Sequence, residues 1–149
     1  MPTPPRGFYV DFRRTPEDNW RADLRMQLTN GGTAVRVSGT DEDTGGEGGP
    51  GLALQRAVST ARSIVNDPAI ANLLPTGTLT AIQAVRSLAR AARRGVLGHV
   101  INGKPLYQHF KGPFGRLAKA LHIAHKKKRG PALSGGPLRL VDARQEGCE

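Results

Sequence analysis

After a Pro-rich extended arm at 1–7, apolar and polar side chains alternate in three short runs before residue 40, and from residue 52 onward helical spacing of the apolar ones takes over. Phe8, Val10 and Phe12 interleave with Tyr9, Asp11 and Arg13, the two-residue period of a half-buried strand. The same alternation returns in Leu24, Met26 and Leu28, set among Asp23, Arg25 and Gln27, and again over Ala34 to Ser38. Asn30-Gly31-Gly32 separates the last two runs, and Asn-Gly between alternating segments predicts a hairpin turn. Three strands with so few large side chains cannot close a core alone. Either the chain's own helices cover them or a neighbouring chain pairs with the sheet edge.

Leu54, Ala57, Val58, Ala61, Ile64 and Val65 mark one face of a helix over residues 52–66, with Arg56 and Ser59 opposite. Asp67-Pro68 reads as the cap and first residue of a short helix reaching Leu74, broken by Pro75-Thr76-Gly77. Thr78 is placed as the cap of the clearest helix, whose stripe is Ile82, Val85, Leu88, Ala89 and Ala92, and Gly95 ends it. A second Asn-Gly pair, Asn102-Gly103, predicts a hairpin over 96–110. Pro113 opens a last helix with Phe114, Leu117, Leu121 and Ala124 inward. The fold class is therefore α+β: a small antiparallel hairpin sheet with an arm, then three or four short helices holding a second hairpin. The segments are an arm and sheet module (1–39), an acidic Gly-rich linker (40–51), a basic helical module (52–129) and an extended tail (130–149).

Charge changes this picture most. The chain of 149 residues carries a formal charge of +10. From Pro68 to Val141 there is no Asp or Glu at all. Such a stretch cannot neutralise itself locally and calls for an outside polyanion or an acidic surface elsewhere. Arg86, Arg90, Arg93 and Arg94 form a stripe along the helix that ends at Gly95. Lys104 and Lys111 flank the second hairpin; Arg116, Lys119 and Lys126 lie outward on the last helix, which runs into Lys127, Lys128 and Arg129. These twelve side chains are the expected phosphate contacts. Tyr107 and Phe110 either stack on unpaired bases or belong to the small core.

Other chemistry is thinner. Gly46, Gly48 and Gly51 spell a literal G-x-G-x-x-G, but Asp41, Glu42, Asp43 and Glu47 would repel a pyrophosphate there, so the stretch reads as linker. His122 and His125 have no third ligand nearby in sequence, and Cys148 is the only cysteine. The acid-free region supplies no paired carboxylates, which leaves Asp11, Asp23 or the linker as the place for any two-metal site. The expectation is a protein that is not an enzyme and takes no cofactor. It is read as a minor virion or capsid component, contacting nucleic acid non-specifically through its C-terminal half and other protein subunits through its N-terminal arm and strands. A peripheral protein on anionic membrane is the alternative. The N-terminus has no apolar signal segment, so a virion or the cytoplasm is the expected location.

Overall fold

The computed structural model describes residues 3–44 and 48–126. Its front end is a three-stranded antiparallel meander: β1 (Phe8–Arg14), β2 (Trp20–Gln27) and β3 (Ala34–Thr40), in the order β1-β2-β3. Alternation sets the faces. Phe8, Val10, Phe12, Trp20, Ala22, Leu24, Met26, Val35 and Val37 are buried on one side, as a two-residue period requires. The sheet ends in a cation: Arg14 lies over the Trp20 ring at 5.3 Å and pairs with Asp18.

The chain's own first helix covers that apolar face. Helix α1 (Gly49–Val65) packs against β2 and β3 on one side and against α3 (Thr78–Arg93) on the other. Close approach needs small residues at the seam. A Cβ on Gly39 would strike the Ala53 carbonyl and come within 2.6 Å of the Ala57 nitrogen. A Cβ on Gly51 would lie 2.6 Å from the Arg93 nitrogen. Gly51, part of the G-x-G-x-x-G spacing, thus serves the contact between α1 and α3. Helix α4 (Gly112–Lys126) adds Phe114, Leu117, Ala118 and Leu121 to the same core, so one apolar cluster joins sheet and helices. Each such Leu or Phe withdrawn from water contributes about 1.5–3 kcal/mol.

The α+β class holds, and the differences from the sequence reading are local. Helix α1 starts at Gly49, three residues inside the stretch read as linker, with Pro50 in its first turn where a missing N–H costs nothing. Asp41, read as one of the linker's repelling acids, is fully buried. Its Oδ1 accepts the Trp20 N–H at 2.6 Å and its Oδ2 the Gly49 N–H at 2.9 Å. The carboxylate thereby ties β2 to the start of α1, where the helix dipole favours negative charge. Asp67 caps α2 (Pro68–Ala71) by accepting from the Ala69 N–H, but the helix stops short of Leu74.

Thr78 does not cap α3. Left-handed Gly77 precedes the helix, and Thr78 is itself buried. The first Asn-Gly turn is wider than a two-residue one: Leu28 N–H donates to the Thr33 carbonyl, and Gly31 takes the positive φ of 87°. Thr29 then donates to Leu73, which docks this turn on the end of α2. At the second, Asn102 and Gly103 both have positive φ as the motif demands. Its ladder is only β4 (Val100–Ile101) and β5 (Lys104–Pro105), because Leu106–His109 winds into a 3₁₀ turn. The tail at 130–149 lies outside the described residues.

Candidate nucleic-acid interface

The amphipathic period of α3 decides where its arginines go. With Ala81, Ile82, Val85, Leu88, Ala89 and Ala92 buried, Arg90, Arg93 and Arg94 are left exposed and Arg86 half-buried. At 100° per residue these four fall within one arc of the helix. Like charges at this spacing repel by about 0.2–0.5 kcal/mol per pair. On α4 the same logic exposes Arg116, Lys119 and Lys126 once Phe114, Leu117, Ala118 and Leu121 face the core.

The C-terminal ends of the two helices meet. A Cβ on Gly95, just past α3, would lie 3.2 Å from His125 Nε2 in the last turn of α4. Arg90 and Arg93 therefore end one helix beside the other that ends in His125 and Lys126. Cations there complement both dipoles, which accounts for part of the clustering without any ligand. Lys104 is exposed in the second hairpin and Lys111 is exposed just before α4. Lys127, Lys128 and Arg129 lie outside the described residues.

The ion pairs seen among the described residues lie at the other end of the molecule. Arg13 lies 4.0 Å from Asp11 and 3.2 Å from Asp23, Arg21 lies 3.1 Å from Asp23, and Arg14 meets Asp18. Among the described residues, no arginine or lysine between Pro68 and Lys126 sits within ion-pairing distance of a carboxylate. Arg93 is held instead by a neutral partner, donating to Gln55 Oε1 on α1 at 3.1 Å.

The aromatic residues of this half are partly committed. Tyr107 stacks on His122, with centroids 5.0 Å apart and planes 22° from parallel, and both Tyr107 and Phe110 pack against the core. Of the two readings for these rings, packing is the one seen. The His122 pKa is lowered, first by burial against Tyr107 and the Gly98 backbone, then by the Lys126 charge. The imidazole beside the basic ends is thus biased toward neutrality. Large apolar side chains do reach the surface nearby: Leu79 on the arginine arc of α3, Ile123 among Arg116, Lys119 and Lys126, and Val100 and Ile101 in the hairpin.

A second charged face escaped the sequence reading. The outer face of the sheet displays Arg13 and, around a concavity of about 480 Å³, Tyr9, Asp11, Arg21, Asp23, Arg25, Arg36 and Ser38. The net charge of the front half is negative, which masks its arginines in a count by segment. Yet the alternation that puts Leu24 and Met26 inside puts Asp23 and Arg25 outside.

What the fold defines is a class only: an α+β protein whose meander sheet is backed by a helical layer with cationic outer ridges. No protein-family model, no curated protein and no solved structure matches the chain.

Proposed function

We propose that this protein is a non-enzymatic component of a larger assembly that holds nucleic acid by its phosphate backbone, as a minor capsid or other virion protein would. One observation carries the reading: the arginines and lysines of α3 and α4 stand in ridges with no described carboxylate beside them, while the sheet's acids are taken up by the sheet's own arginines. A merely solvated helical face is usually interleaved with acids, which cancel repulsion at little cost. Here the repulsion is left standing, and a polyanion would relieve it. Contacts of this sort position a strand without reading its sequence, because arginine and lysine on phosphate carry no base information. The open edges of β1 and β3 offer the surface for neighbouring subunits. The test is a binding titration with double-stranded DNA across a range of salt, in which the logarithm of affinity falls linearly with the logarithm of salt concentration. Affinity that ignores salt would end this reading.

A second reading rests on the exposed apolar residues. Leu79 among the α3 arginines and Ile123 among the α4 cations would suit an anionic lipid surface, with the apolar side chains entering the headgroup layer. Among the described residues, no helix is long and apolar enough to cross a membrane, so attachment of that kind would be peripheral. Flotation with vesicles containing anionic lipid separates the two: co-flotation that survives an excess of DNA favours the membrane.

A further inference from the structure

The register of the sheet sorts its outer face into rows. Arg13 stands opposite Arg21; the next row pairs Asp11 with Asp23 and Ser38; the next runs Tyr9, Arg25, Arg36. The first two rows balance: two arginines meet two aspartates, and the contacts of 4.0, 3.2 and 3.1 Å described above join them. The third row has two arginines and no acid. Arg25 and Arg36 are directly opposed across the β2–β3 ladder, an arrangement that destabilises a sheet when nothing lies between the charges.

Arg25 is also fixed in place. Its guanidinium lies over the Tyr9 ring at 5.2 Å and donates to Gln27 Oε1 at 3.3 Å, while its Nε is buried without a hydrogen-bond partner. Arg36 is exposed, and no described carboxylate lies within ion-pairing distance of it. A held guanidinium beside a free one, on the wall of a concavity of about 480 Å³, is a receptor for a planar or tetrahedral anion. The volume lies within the ordinary range for small-ligand sites.

The row of Asp11, Asp23 and Ser38 limits what that anion is part of. A polyanionic strand laid along the sheet would set a phosphate against these carboxylates. A small ligand with a single anionic end would place hydroxyl donors there instead. We propose that the outer face of the sheet binds a small phosphate monoester bearing hydroxyl groups, of the sugar-phosphate class. Its phosphate sits between Arg25 and Arg36, and its hydroxyls donate to the carboxylate row. This site is separate from the helical ridges and does not depend on them.

The experiment is a titration of the isotopically labelled full chain with ribose 5-phosphate, followed by amide NMR. Amides of β2 and β3 around Arg25 and Arg36 shift and saturate, and ribose alone moves nothing. Arg36→Gln, a change on an exposed side chain, weakens binding by about tenfold or more with the spectrum otherwise kept, since one of the two guanidinium donors to the phosphate is gone. Arg62→Gln on α1 leaves it unchanged. The proposal falls if those amides stay still up to roughly 10 mM ligand, a concentration that would expose even weak binding. It falls equally if Arg36→Gln binds as the parent does, or if inorganic phosphate binds as tightly as the sugar ester. A single-stranded oligonucleotide that shifts these amides when ribose 5-phosphate does not would also overturn it.

Discussion

Asp41 Oδ1 accepts the backbone N–H of Trp20 at 2.6 Å, in a place with no exposure to water. The other oxygen takes Gly49, so a single carboxylate holds the first residue of β2 and the first of α1 together. An alanine there leaves two buried donors without an acceptor. Asp41→Ala is expected to lower the unfolding free energy by about 3 kcal/mol, and Asp41→Asn by less because its amide oxygen keeps one of the two bonds. Urea denaturation of the three proteins checks the order. Equal stability of all three would show that the carboxylate does not join the elements.

Gly39 tests how closely α1 sits on the sheet. A methyl group at that position meets the backbone of α1 at Ala53 and Ala57, and backbone cannot rotate away. Gly39→Ala should cost about 2–3 kcal/mol, in the range of overpacked cores, and should act by lifting α1 from β3. Gly32→Ala is the matched control, since a Cβ there meets nothing. Thermal unfolding of the pair reads the difference.

Periodicity in the sequence located the strands, the long helices and the second Asn-Gly turn. Two-residue and 3.6-residue patterns are properties of one segment and need no partner. What escaped was whatever a distant residue decides. Asp41 looked like one more acid in a Gly-rich linker because Trp20, its partner, lies 21 residues earlier. Thr78 looked like a cap, but Gly77 takes the left-handed turn and the core takes the threonine. For the candidate sites the same division applies. The exposed stripe on α3 follows from spacing alone, whereas the opposition of Arg25 and Arg36 depends on strand register, which the loop geometry at 28–33 sets.

His122 gives the protein a calculable response to acid. Burial and the Lys126 charge lower its pKa below the ordinary value of 6.5. Above that value the imidazole is neutral in both the folded and unfolded chain and contributes nothing to the pH dependence. As pH falls through 6.5 the unfolded chain takes up the proton first, so the folded state loses stability until its own lower pKa is passed. His122→Phe keeps a ring against Tyr107 and removes the proton site. The parent should therefore lose more stability than this variant between about pH 8 and pH 5, as measured by urea midpoints. Identical losses would place the acid sensitivity elsewhere.

The arginine arc of α3 makes the claim about nucleic acid quantitative. Arg86, Arg90 and Arg93 point away from the core, so replacing all three with alanine removes charge while keeping a strong helix former at each position. Folding should hold, or improve by a few tenths of a kcal/mol as like-charge repulsion is relieved, with some offset from the missing Arg93–Gln55 bond. Binding to duplex DNA should weaken for every sequence alike. The slope of log affinity against log salt should shrink by about 0.9 for each phosphate that the variant no longer neutralises. A variant that folds, binds as tightly as the parent and keeps its slope would move the interface away from α3. Weaker binding at an unchanged slope would mean that these arginines act by shape or packing, not by displacing counterions.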